Sequence, residues 1–139
     1  MLRCEKSSFV FSNIIVQHYL ESANNQTIRV REYNKKTHEL CIKFIQSKME
    51  RHEIEFVIDQ DIAKELIEHS IGFVIKVRHK LKYDSKFWDI NIYIDPLDLY
   101  IGEVELSHKD EEVEIPDWAI KEVTATPGFS NYELATSRR

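Results

Sequence analysis

The sequence predicts a β-dominated α+β fold: about eight antiparallel strands, a number at which such a sheet can close into a barrel, with a few covering helices. Three observations carry this. Apolar and polar residues alternate with period two in segment after segment. Short polar stretches separate those segments, and helical spacing is confined to a few brief runs. With 139 residues, 42% of them hydrophobic and 31% charged, the chain is expected to form one domain spanning 1–139.

Taken in order, the first two strands, Arg3 to Phe11 and Ile14 to Leu20, have the weaker patterns. The alternation is clear in Thr27-Ile-Arg-Val-Arg-Glu, Glu39-Leu-Cys-Ile-Lys-Phe-Ile and Arg51-His-Glu-Ile-Glu-Phe-Val-Ile. It returns in Phe73-Val-Ile-Lys-Val-Arg-His, Phe87-Trp-Asp-Ile-Asn-Ile-Tyr-Ile and Tyr100-Ile-Gly-Glu-Val-Glu-Leu. A helix is expected over Asp59 to His69, capped by Asp59 or Asp61, with Ile62, Leu66 and Ile67 as its apolar stripe. A second is expected to open at Pro116, and a short third over Asn131 to Ser137.

Side chains two apart on a strand share a face. One face of each strand is apolar: Ile28 and Val30; Ile54, Phe56 and Ile58; Ile75 and Val77; Ile90, Ile92 and Ile94; Val104 and Leu106. The other carries Arg29 and Arg31, Lys43, Arg51 with Glu53 and Glu55, Lys76 and Arg78, Asp89 with Asn91, and Glu103 with Glu105. Pattern alone favours an ordinary sheet with that second face in water. Against this, the charges tend to come as same-sign pairs, as in Arg29 with Arg31, and charged positions sit at mid-strand on every well-patterned segment. A sheet closed with these faces inward would line a tube with both cations and acids. Arginine forks match phosphate oxygens, lysine adds a movable charge, and paired carboxylates can share a hard divalent ion. Such a lining suits a metal-chelated polyphosphate better than a set of buried salt bridges.

Composition excludes other classes. The formal charge of -5 gives no basic bias, so no duplex nucleic acid is expected as a partner. Three glycines leave no Gly-rich phosphate loop, and the histidines never take metal-ligand spacing. Cys4 and Cys41 are far apart, which points to a reducing, cytoplasmic setting and to structural cysteines. No apolar run is long enough to span a bilayer, so no membrane partner is expected.

The order Arg29-x-Arg31, Leu40-Cys-Ile-Lys43, Arg51-x-Glu53-x-Glu55 and Lys76-x-Arg78 resembles the CYTH superfamily of triphosphate tunnel metalloenzymes. Trp88-Asp-Ile-Asn-Ile-Tyr and Ile101-Gly-Glu-Val-Glu-Leu resemble two further family strands. Pro116-Asp-Trp, Lys121-Glu-Val-Thr, Pro127 and Asn131 through Ala135 resemble its closing segment. The resemblance covers roughly residues 14 to 135 and implies an eight-stranded tunnel. It implies that Arg29, Arg31, Lys43, Arg51, Lys76 and Arg78 hold phosphates, joined by Lys6 if it points inward. It further implies that Glu53, Glu55, Glu103 and Glu105, with Asp89 and Asn91, hold Mg²⁺ or Mn²⁺, and that Glu53, Glu55 and Glu103 serve catalysis.

The chain also departs from the family. Cys4, Lys6 and Ser8 stand where a Glu-x-Glu-x-Lys motif is expected, Asn91 replaces an aspartate, and Gly128 replaces an arginine. Fewer acids should weaken metal binding more than phosphate binding. The expected function is therefore binding of a triphosphate, polyphosphate or nucleotide with weak or no turnover, as a sensor, sequestering protein or pseudoenzyme. The alternatives are a Mg²⁺- or Mn²⁺-dependent triphosphatase, a class IV adenylyl cyclase-like enzyme and a scaffold barrel.

Overall fold

A computed structural model describes residues 9–46, 51–83, 85–96, 98–107, 111–116, 122–123 and 128–137. The strands are β1 (Phe9–Leu20), β2 (Gln26–Tyr33), β3 (Thr37–Ile45), β4 (Arg51–Ile58), β5 (Gly72–Tyr83), β6 (Lys86–Asp95) and β7 (Leu99–Val104). Helix α1 (Gln60–Ile67) joins β4 to β5, and α2 (Asn131–Thr136) follows near the C-terminus. The strands form one seven-stranded antiparallel sheet in the order β4-β3-β2-β1-β5-β6-β7.

Two meanders make up this order. From β1 the chain turns back through β2, β3 and β4; from β5 it runs through β6 and β7. Among the described residues only the long β1–β5 pairing, from Phe9↔Leu81 to Tyr19↔Gly72, joins them. The β2–β3 turn has Asn34 and Lys35 at φ 51 and 61, closed by Lys36 N donating to the Tyr33 carbonyl at 2.9 Å. Two positive φ values at the turn centre match the right-handed twist of the flanking strands.

Register confirms the reading of faces. Gln17 lies opposite Arg31, Tyr19 opposite Arg29, Arg29 opposite Cys41, and Cys41 opposite Glu55. On the other side of β1, Ile15 lies opposite Lys76; Lys76 opposite Tyr93, Arg78 opposite Asn91, and Asp89 opposite Glu103 complete the row. The strand charges read from the sequence, except Glu105 beyond the end of β7, therefore share one face. That face is the inner one, since Lys76 and Asn91 are 0% exposed and Arg29 and Arg31 are 8% and 9% exposed. On the opposite face Phe56 and Ile94 are 46% and 56% exposed.

Helix α2 seats on the inner face. Its Leu134 and Ala135 are buried with Tyr19, Val74 and Tyr93, and Leu99 and Ile101 pack against this cluster. Gly72 makes that approach possible: a Cβ there would lie 2.2 Å from the Ala135 carbonyl oxygen. On the outer face Leu81, Trp88 and Ile90 form a second cluster with Tyr83, Ile92, Val104 and Val113. Helix α1 packs against β1, β2 and β3.

Several expectations change. Ile14 to Leu20 does not start a separate strand, because β1 runs unbroken from Phe9 and pairs with β5 throughout apart from one register shift. Seven strands rather than eight are present among the described residues, and there β4 and β7 are edges without a hydrogen-bonded closure. Asp59 does cap α1, its Oδ1 accepting from Ile62 N at 2.8 Å. The stripe is shifted, however: Ala63 is the buried residue and Ile62 is exposed. His38 is buried against Glu32, with Nε2 and a carboxylate oxygen 3.1 Å apart. Cys4, Lys6 and Ser8, and the body of the helix expected after Pro116, lie outside the described residues.

Candidate functional site

The inner face holds three linked groups of side chains. In the first, Arg31 donates from Nε to Gln17 Oε1 at 3.0 Å and from a terminal nitrogen to the Tyr33 hydroxyl at 2.9 Å. Gln17 Nε2 in turn donates to the Tyr19 hydroxyl at 3.0 Å. Arg29 interacts with Tyr19, Cys41 and Glu53, while its buried Nε has no hydrogen-bond partner. A buried guanidinium nitrogen left open is costly, and an oxyanion on this face would satisfy it.

The second group spans β5, β6 and β7. Arg78 Nε donates to Asn91 Oδ1 at 2.9 Å, and Asn91 Nδ2 donates to Glu103 at 2.8 Å. Asp89 lies 3.3 Å from Lys80 and 3.9 Å from Arg78. Lys76 sits beside them, its Nζ donating to Asn131 Oδ1 at 3.2 Å and lying 5.4 Å from the Tyr93 ring centre. The Tyr93 hydroxyl donates to that same Asn131 oxygen. Burial, then Arg78, presses the Lys76 pKa well below the usual lysine value, with Arg31 and Arg29 adding and Glu103 opposing.

Burial foremost, then Glu103, pushes the Tyr93 hydroxyl pKa up, while Arg78 and Arg31 pull it down.

The third group lies on β3 and β4. Lys43 Nζ is 3.4 Å from Glu53. Burial and Arg29 lower the Lys43 pKa despite that partner. Burial alone would raise Glu53, but hydrogen bonding with Glu55 and the charges of Lys43 and Arg29 bring its pKa below the ordinary value. Cys41, Glu53 and Glu55 each offer one donor atom, all within 4.8 Å of one another. Two carboxylates fit a hard ion such as Mg²⁺ or Mn²⁺, which keeps much of its water. The Cys41 thiol, pushed up in pKa first by burial and further by Glu53 and Glu55, is a soft donor unsuited to such ions.

The sequence-predicted residues thus fall into separate groups. Arg29, Arg31, Lys43, Glu53 and Glu55 lie on the β2–β4 side, with Arg51 at the start of exposed β4. Lys76, Arg78, Asp89, Asn91 and Glu103 lie on the β5–β7 side, and Glu105 follows β7 as an exposed residue. Gln17, Tyr19, Tyr33, Tyr93 and Asn131 are the inner-face residues that the charge pattern did not mark. The first two share an i, i+2 parity with buried Ile15, a signal present in the sequence; Asn131 gives none, since its partner lies on a distant strand.

No protein-family model matches the chain. It is 28% identical over 121 residues to an inorganic triphosphatase from Acetivibrio thermocellus, a match covering 85% of this chain and 77% of that protein. The crystal structure of the hypothetical protein NE1496 aligns with a TM-score of 0.69 at 21% identity, over 93% of this chain and 88% of that one. The PH1012 protein from Pyrococcus horikoshii OT3 aligns with a TM-score of 0.57 at 24% identity, over 73% and 66%. These structures share the fold, and the curated relative is similar in sequence over most of both chains. With its motifs in family order and their charges gathered on one inner face, the chain resembles CYTH proteins of the triphosphate tunnel type.

Proposed function

We propose that the inner face binds a triphosphate group, carried by inorganic triphosphate or by a nucleotide, with slow or no hydrolysis. The observation that carries this is the convergence of buried Arg29, Arg31 and Lys76 on one face, with the Arg29 Nε open. Arg78 and Lys43 extend the cationic row to both sides. We further infer that the sheet closes as a tunnel, in which β4 and β7 are brought round toward each other.

Slow turnover follows from how the acids are engaged. Glu53 is paired with Lys43, Asp89 with Lys80 and Arg78, and Glu103 accepts from Asn91. A metal-dependent triphosphatase is the second reading, favoured by the close Glu53–Glu55 pair and by the inorganic triphosphatase relative. In it Glu53 and Glu55 would hold Mg²⁺ or Mn²⁺, which supplies charge neutralisation at the phosphates when bound. Lys43, Arg29 and Arg31 would orient the phosphate chain, and Glu103 would orient water.

A phosphorus NMR time course of tripolyphosphate, with and without Mg²⁺ or Mn²⁺, tests both readings. Broadened ligand signals without product, lost when Arg29 and Arg31 are both replaced by alanine, establish binding without turnover. Metal-dependent release of phosphate or pyrophosphate, lost in the Glu53→Gln/Glu55→Gln variant, establishes the triphosphatase. Unshifted signals with the wild-type protein overturn both.

A further inference from the structure

Helix α2 contributes one polar side chain to the charged face. Asn131, its first residue, accepts through the same Oδ1 from Lys76 Nζ and from the Tyr93 hydroxyl. Lys76 is 0% exposed, so its ammonium cannot turn to bulk water, and the remaining charges around it are mixed. Arg78 on its own strand and Arg29 and Arg31 on β2 repel it, while Glu103 on β7 attracts it. Tyr93 on β6 offers it a ring face, and Tyr19 on β1 packs in the same cluster as Tyr93 and Leu134.

A flexible lysine among three arginines would be driven away from them. The Asn131 oxygen counters this by giving the ammonium a fixed neutral acceptor, and the Tyr93 hydroxyl locks that acceptor's orientation. The seat of the asparagine is itself rigid. Ser130 caps α2 by accepting from Glu133 N at 3.0 Å, and Gly72 lets the helix backbone approach β5 closely.

We propose that Asn131 is a positioning residue: its side-chain oxygen holds the Lys76 ammonium against the inner face, so that α2 decides where this cation meets a bound phosphate. This rests on the triphosphate-binding reading above. Asn131 itself touches no ligand in this scheme, and its effect passes through Lys76.

The test is a double-mutant cycle read by calorimetric titration with inorganic tripolyphosphate. Asn131→Ala is expected to weaken binding about tenfold, the value of a hydrogen bond to a charged group. Asn131→Gln, which keeps a neutral amide oxygen, is expected to restore part of it. Lys76→Met is expected to weaken binding more, and adding Asn131→Ala to it is expected to cost nothing further. Equal losses from Asn131→Ala in the presence and absence of Lys76 would mean that the asparagine acts on α2 packing alone, and would overturn the proposal. Wild-type affinity in Asn131→Ala would overturn it too. Should Asn131→Ala unfold, Asn131→Ser carries the same cycle. Failure of the wild-type protein to bind tripolyphosphate overturns the triphosphate reading itself, whereas a binding wild type with an uncoupled cycle overturns only the role of Asn131.

Discussion

At Lys76 stability and the proposed phosphate binding make opposite demands on a single position. A fully buried ammonium among arginines is costly, and replacing buried ionic groups with apolar ones of similar size is often stabilising by about 1–4 kcal/mol. Lys76→Met is accordingly expected to raise the unfolding free energy by about 1–2 kcal/mol in urea titrations while weakening tripolyphosphate binding. The pH dependence has a definite sign. Since the folded pKa lies below the unfolded one, the unfolded chain binds more protons between the two values, and stability rises with pH across that window. Lys76→Met should flatten this alkaline rise; a wild-type profile that is already flat there would contradict the buried, destabilised ammonium. Glu133 has the same sense in the carboxylate range, from the opposite cause, since its charged form is the one stabilised. Hydrogen bonds from Gly128 N and Ser130 hold its pKa below the ordinary value, so its stabilisation is lost as pH falls through the folded pKa.

At the scale of the element, α2 is fixed by contacts that can be broken one at a time. Gly72→Ala places a methyl carbon 2.2 Å from the Ala135 carbonyl oxygen, a backbone atom that cannot rotate away. Displacement of the helix is expected, with a cost of about 1–3 kcal/mol and loss of amide protection in α2 by hydrogen exchange. Ser130→Ala removes the cap and should cost about 1 kcal/mol by thermal melting, while leaving the sheet amides protected. This element also marks where sequence reasoning stops. The strands were legible because Cβ direction alternates strictly, so Arg29 with Arg31, or Lys76 with Arg78, are bound to share a face wherever a strand forms. Asp59 was equally readable as a cap residue. That α2 would bury Leu134 and Ala135 on the charged face was not, because a six-residue helix has too short a stripe to name its partner. Ile62 is exposed for a related reason: its neighbour Ala63, small enough for close approach, takes the contact instead.

For the whole molecule, the inner face concentrates Arg29, Arg31, Lys76 and Arg78 in a protein whose formal charge is -5. Repulsion among these groups is relieved by a bound polyanion, so tripolyphosphate should raise the melting temperature with RT ln(1 + [L]/Kd) dependence. At a ligand concentration about a hundredfold above Kd the gain is about 2.7 kcal/mol, and replacing Arg29 and Arg31 by alanine should abolish it. Differential scanning calorimetry with tripolyphosphate against equal ionic strength of chloride separates this from general screening. The strand order has a kinetic consequence as well. Each meander can form from neighbours in sequence, whereas β1 must find β5 across all of β2, β3, β4 and α1. Closing that long loop is the slow, entropically expensive event, so the search time of the chain is set by one seam and not by the sheet as a whole. Ile15, fully buried on β1 opposite Lys76, should show a high φ-value, while Ile92 on β6 should leave the folding rate nearly unchanged and speed unfolding.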